Sequence, residues 1–351
     1  MRLRPAAHGA ARRSQARARA AVGVLVTLAL AALAPAPAVA ASSRAELQAL
    51  LRDLLAWWPG EYDTMPQVEL ERQYGGPPEG VREHEYRVFR RIDAPQLGDD
   101  VIYGELRRGG IDGPVVRDQQ LLYIVDIDER RQAVRISSRR IRDADNYERL
   151  WQRPERQRSV AIDPNYGGQC EIRFRRYGRE LRGSLVNVTG PEGTACTLVS
   201  KASGQAIAWE ADWVITPEEV WIFDNGYLRE PARDGEPERP AGREDRVPER
   251  FYKARRFECS VQPHHRKGRP IRDAVVHDRG GQVDLARAGS AGHVLRLLRL
   301  PQPAPAPDYF KDRLTLSVFE GERSIAHTSA SGDAHAIALH WPGGSASCRR
   351  L

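Results

Sequence analysis

From Glu83 onward the chain is built of short runs that alternate apolar or aromatic with polar residues, one run about every ten residues. Glu83–Ile92, Val101–Arg107, Asp118–Asp128 and Gln132–Arg142 form the first series, punctuated by Gly109-Gly110, Asp112-Gly113 and Asp128-Glu129. Alternation with period two, broken by turn residues, specifies strands with one face buried, and many such strands at even spacing predict an antiparallel sandwich or barrel. Cys170–Tyr177, Leu181–Val188, Cys196–Lys201, Ala206–Ile215 and Glu219–Phe223 continue the pattern, with a short helical excursion expected around Asn146–Trp151. Asp224-Asn225-Gly226 reads as a turn after the last of these. A charged, proline-rich segment, Arg229–Arg250, is expected to be a loop. Phe251–Val261 reads as a return strand. A basic turn, His264–Arg269, then leads to Ala274–His277, Gln282–Ala286, His293–Leu300, Arg313–Glu320, Ser324–Thr328 and Ala334–Trp341, a small β-rich extension crossed by a stiff connection at Pro301–Pro307.

One helix precedes the strands. In residues 44–58 Leu47, Leu50, Leu51, Leu54 and Leu55 recur at helical spacing, Ser42 or Ser43 is placed to cap the start, and Pro59-Gly60 ends it. Packing on a core is the expected use of its leucine face.

The first 40 residues have the three parts of a secretory signal peptide: arginines from Arg2 to Arg19, an apolar stretch from Ala21 to Ala34, and small residues at Ala38-Val39-Ala40 before Ala41. The apolar stretch is shorter than the roughly 20 residues that span a bilayer, so cleavage and export to a periplasmic or extracellular compartment are expected rather than a stable membrane anchor. Arg12-Arg13 leaves a twin-arginine route open. Removal of this segment also changes the charge. Six of the 54 Lys and Arg precede Ala41 and no acid does, leaving 48 basic against 47 acidic residues. The basic balance of the whole chain therefore gives no ground for a nucleic-acid partner.

Cys170, Cys196, Cys259 and Cys348 form an even set, which in an oxidising compartment points to disulfides. Three connectivities are possible. Cys170–Cys196, flanking a hairpin, and Cys259–Cys348, tying the chain end back, are the favoured pair. No Cys-x-x-Cys or Cys-His cluster suggests a metal, and His264-His265 reads as a solvated loop. Dinucleotide, phosphate-loop, serine-hydrolase and zinc-protease motifs are absent from the sequence.

A resemblance carries the reading further. Leu54-Leu55-Ala56-Trp57-Trp58-Pro59-Gly60-Glu61-Tyr62-Asp63 is similar to the opening of the CpcT/CpeT chromophore lyases, a leucine-rich helix followed by a Gly-Glu-aromatic-Asp turn. Tyr103-Gly104-Glu105-Leu106, Val116-Arg117-Asp118-Gln119 running to Tyr123, Gly168-Gln169-Cys170 with Cys196, and Trp221-Ile222-Phe223-Asp224-Asn225-Gly226-Tyr227 resemble later motifs of that family in the same order, over about residues 46–260. Several positions depart from the pattern: Val116 stands for its Tyr, Leu106 for its Gln, and the second Arg of its Tyr-Arg-Gln-Arg strand has no counterpart.

The resemblance implies a mainly β fold, a lipocalin-like antiparallel barrel over residues 41–261 opened by the amphipathic helix; residues 262–351 lie outside the resemblance and read from their own pattern as a small β-rich C-terminal extension. It implies a linear tetrapyrrole (bilin) in the barrel as a ligand rather than a required cofactor, and assistance to thioether formation between that bilin and a cysteine thiolate of an acceptor protein. Glu105 and Asp224 are then the expected proton-handling carboxylates, and Arg117, Gln119, Tyr123, Trp221 and Tyr227 the expected ligand contacts. The alternative is an exported barrel of the same kind that binds a small amphipathic molecule or an envelope partner without lyase chemistry, since fold does not fix function.

Overall fold

The computed structural model describes residues 43–74, 81–165, 170–188, 196–199, 206–228, 247–265, 268–301 and 312–351. The expected signal segment, residues 229–246 of the loop expected over Arg229–Arg250 and most of the proline-rich connection lie outside these, and the last two residues of that expected loop, Glu249 and Arg250, are instead in a strand. The elements run α1 (Arg44–Trp57), β1 (Gly60–Asp63), α2 (Met65–Tyr74), β2 (Glu85–Ile92), β3 (Asp100–Arg108), β4 (Leu121–Asp128), β5 (Ala133–Arg140), α3 (Pro154–Gln157), β6 (Cys170–Tyr177), β7 (Glu180–Asn187), β8 (Cys196–Val199), β9 (Ala206–Ile215), β10 (Glu219–Leu228) and β11 (Glu249–Lys253). The tail adds β12 (Arg256–Pro263), β13 (Ile271–His277), β14 (Arg279–Asp284), β15 (His293–Leu300), β16 (Arg313–Glu320), β17 (Arg323–Ser331), β18 (Ala336–Trp341) and β19 (Gly344–Arg350).

The first sheet runs β10-β11-β1-β2-β3-β4-β5-β6-β7-β9, and antiparallel pairing of β9 with β10 closes these ten strands into a barrel. One edge of β9 is shared: Asp212–Ile215 pair with β7, Ala206–Trp209 with β8. Closure leaves no long free edge, the usual solution for an antiparallel sheet of this size.

Helix α1 begins at Ser43 with a capping box. The Ser43 hydroxyl accepts from Glu46 N at 3.2 Å, and the Glu46 carboxylate accepts from Ser43 N at 2.6 Å. Pro59 lacks the N–H to extend it. Its leucine face enters the barrel, where Leu50, Leu54 and Trp58 join inward residues of the wall in one core. The amphipathic helix thus plugs the barrel.

Several local expectations change. Gly60–Asp63 is a strand of the barrel rather than a turn, pairing with both β2 and β11. Asp224-Asn225-Gly226 does not turn: β10 continues through it, with Gly226 opposite Trp209. A Cβ at Gly226 would stand 2.6 Å from the Trp209 ring, so this glycine serves close packing. The return strand expected over Phe251–Val261 is two strands. Glu249–Lys253 completes the barrel, and the chain then crosses at Ala254-Arg255 into the tail.

There two four-stranded sheets, β13-β12-β19-β18 and β14-β15-β16-β17, face each other across a core that includes Phe257, Leu295, Leu316, Leu339 and Trp341. The extension is a small sandwich. Both expected disulfides are present: Cys170–Cys196, with Cα atoms 5.8 Å apart, and Cys259–Cys348, at 4.1 Å between directly paired residues of β12 and β19. Among the described residues, no helix is long and apolar enough to cross a membrane.

Barrel and sandwich meet through charged side chains, beside an apolar contact of Met65 and Val68 with Leu298. Glu61 is buried and receives Arg90 at 2.7 Å and Arg256, from the sandwich, at 2.6 Å. Burial alone would raise its carboxyl. The Arg256 hydrogen bond and charge, with Arg90, outweigh that and hold it below the usual range.

Candidate functional site

Strand alternation decides which side chains enter the barrel. On β2 Phe89 lies in the barrel core, so Glu85 and Arg87 share its inward face. On β10 Val220 and Ile222 point in, and so does Asp224. On β11 Phe251 points in, and so does Glu249. Arg140 on β5 stands opposite inward Leu121. The lumen therefore has two halves. One is filled by α1 and an aromatic cluster: the Trp58 ring lies 5.0 Å from Phe89, 5.1 Å from Tyr123 and 5.8 Å from Trp213. The other, towards the starts of β2 and β11 and the end of β10, is polar.

Arg87 is the centre of that polar half. It is 7% exposed, and its guanidinium lies 4.8 Å from the Phe251 ring centroid and 5.8 Å from that of Phe89. Its hydrogen bonding is thin: one 3.5 Å contact from Nη2 to Gln119 Oε1, and none at Nε. Among the described residues no carboxylate lies within ion-pair distance of it. A buried guanidinium left this way is unfavourable unless something else supplies an anion.

Asp224 is exposed at the rim, yet the surrounding wall removes enough water to push its carboxyl up to about 7, against the opposing charge of Arg87 and a hydrogen bond from Trp209, and with help from the charge of Glu249. Glu85 is raised for similar reasons: burial first, then the Glu249 charge, with Arg87 opposing. Its Oε2 is buried without a partner. Arg87, Glu85 and Asp224 thus offer one buried cation and two carboxyls raised to about 7, above an aromatic floor.

Three of the expected site residues fall in this region. Asp224 stands at the rim, Gln119 touches Arg87, and Tyr123 forms part of the floor. Three do not. Glu105 lies outside the barrel wall, because Ile102 and Leu106 take the inward positions of β3. It is held there by Arg107 Nε at 2.9 Å, the Tyr103 hydroxyl at 2.6 Å and Arg149 N at 2.8 Å, beneath the excursion that carries Leu150. Arg117 lies in a 3-10 turn before β4 rather than on a strand, and pairs with Asp145 at 2.9 Å and Glu148 at 3.6 Å on the outer surface. Trp221 also faces outward, donating from Nε1 to Glu219 at 2.6 Å with the Arg250 guanidinium 4.6 Å from its ring. The Tyr227 side chain lies outside the described residues. Sequence reasoning passed over Glu85, Arg87 and Glu249. The signal was the shared parity of Glu85, Arg87 and Phe89 within a single run.

Among the described residues, no three His, Cys, Asp or Glu side chains are grouped to hold a metal. No protein-family model and no curated protein matches the chain. Among solved structures, the selenomethionine form of the CRL protein of Arabidopsis is similar, at 19% identity and a TM-score of 0.41, with 60% of this chain and 98% of that chain covered.

Proposed function

We propose that the barrel is a binding protein for a small amphipathic molecule with an anionic group. The observation that carries this is Arg87, a buried guanidinium directed into the polar half of the lumen over aromatic rings, with no carboxylate in ion-pair range among the described residues. The apolar body of a ligand would rest on the aromatic floor, its carboxylate would pair with Arg87, and a donor on it would meet Asp224. Two disulfides and the arginine-rich, then apolar, N-terminal segment support an exported protein.

A linear tetrapyrrole meets all three requirements, having propionates, pyrrole N–H groups and an extended apolar frame, and the CpcT/CpeT resemblance singles it out. A second reading, assistance to bilin attachment on an acceptor cysteine, is favoured by Asp224, whose carboxyl, raised to about 7, is matched to proton transfer near neutral pH. Titration of the purified protein with biliverdin and, separately, palmitate, followed by quenching of tryptophan fluorescence, separates these ligand classes. Saturable quenching by either supports a binding barrel, and thioether formation on an added acceptor protein is required for the lyase. Folded protein that responds to neither probe would remove the proposal.

A further inference from the structure

The outer wall of the barrel carries a second feature unrelated to the lumen. Where β6, β7 and β9 run side by side, a groove of about 660 Å³ is lined by Arg131, Arg173, Arg175 and Arg182, with Ser184 and Asp212 along its length. These residues alternate with Ile172, Phe174, Leu181, Ala211 and Trp213 of the barrel core, so they face away from the lumen. The groove forms where pairing between β7 and β9 stops at Ser184–Asp212 while β7 continues to Asn187. Its end is held by the disulfide from Cys170, the register partner of Asn187, to Cys196.

Four guanidinium groups in one concavity repel one another unless anions are present. Among the described residues, the carboxylates beside these arginines are Asp212 on the wall and Asp128, Glu171 and Glu180 around it. Asp212, the one acid on the wall among the described residues, accepts from the Ser184 hydroxyl at 2.5 Å. Arg131 is 3.5 Å from Asp128, and Arg173 lies 3.9 Å from Glu171 and 4.0 Å from Asp128. Arg182 is held by Glu180. Arg175 is exposed, and its hydrogen bond goes to the Arg131 carbonyl at 3.2 Å rather than to a carboxylate. The volume falls within the range that holds a small molecule, and forked guanidinium donors match the paired oxygens of phosphate and carboxylate.

We infer that this groove is a binding site for a multiply charged anion bearing phosphate or carboxylate groups, separate from the lumen. Arg175 and Arg182 supply the accessible contacts, Arg173 supplies positive charge at the base, and Asp212 limits how much negative charge is tolerated.

Calorimetric titration of the full chain with inorganic tripolyphosphate and with citrate, in low-salt buffer, tests this. Saturable binding that weakens with added salt is expected. The variant R175Q/R182Q alters only exposed positions and should keep its melting temperature while binding about tenfold or more weakly, and D212N should bind a few-fold more tightly. Preference for tripolyphosphate assigns the site to phosphorylated ligands, and preference for citrate assigns it to polycarboxylates. Absence of binding by either anion at millimolar concentration, or R175Q/R182Q binding as the parent does, would overturn the inference. Neither result bears on Arg87 and the lumen.

Discussion

The Arg87 guanidinium stacks 4.8 Å from the Phe251 ring centroid inside the barrel, on a side chain 7% exposed, with no carboxylate in ion-pair range among the described residues. Its contacts are the long hydrogen bond to Gln119 and the rings of Phe251 and Phe89, which do little to offset the cost of burying a charge. Replacing buried charge with an apolar group of similar size is often neutral or stabilising by about 1–4 kcal/mol. We expect R87M to unfold in urea at the same or a higher midpoint than the parent, with an unchanged m-value. A marked loss of stability would show that Arg87 is structural.

Asp224 makes the pH dependence specific. Its carboxyl is raised to about 7 in the folded state, against 3.8 in an unperturbed chain. Between those values the native state holds a proton that the unfolded state has released, so stability from this group falls as pH rises through the window and levels off above it. D224N resembles the protonated acid at every pH. Its melting temperature is expected to lie closest to the parent's near pH 3 and to exceed it near pH 8. The same difference at both ends would contradict the environment described for this side chain.

Glu105 is expected to behave as a structural residue. It is 1% exposed and receives Arg107, Tyr103 and the Arg149 backbone. Removing one member of a buried pair costs about 3–5 kcal/mol, and E105A should fall near the lower end because Glu148 still holds Arg107 at 2.6 Å. Ligand affinity at the lumen, measured well below the melting temperature, should be unaffected. A selective loss of affinity with stability intact would return Glu105 to the site.

Trp58 tests the plug. It is fully buried among Phe89, Tyr123 and Trp213. W58A should lose about 3–5 kcal/mol in equilibrium unfolding, the range for truncating a large buried aromatic residue. A loss below about 1 kcal/mol would mean that α1 is only loosely held in the barrel.

Much of this architecture was legible in residue patterns. The Leu47–Leu55 spacing located α1, Ser43 proved to be its cap, and alternation marked most strands closely, including Cys170–Tyr177 and Ala206–Ile215 at both ends. The disulfide pairs followed from local closure and the chain end. What escaped had physical causes. Gly60–Asp63 is too short to show a period, and α2 is mostly polar because only Met65 and Val68 need to pack on Leu298. The phase of β3 was hidden because both its faces are buried. Ile102 and Leu106 meet the lumen core, while Val101 and Tyr103 meet a second cluster under the excursion. In a strand apolar on both sides, composition does not say which face is inner, and a one-residue error in phase sends Glu105 to the wrong side. Arg87 was passed over for the opposite reason: a charge on the same face as Phe89 looks like a solvated edge until the barrel closes around it.

The central claim is that Arg87 holds the anionic end of a ligand in the lumen. Visible absorbance of biliverdin, titrated at micromolar concentration into the parent and into R87M, tests it most directly. The account expects a saturable spectral shift at one pigment per chain with the parent, and affinity weaker by about tenfold or more in R87M, the worth of one charge-assisted pair. Folded parent protein that leaves the spectrum unchanged, or R87M that binds equally well, would contradict it.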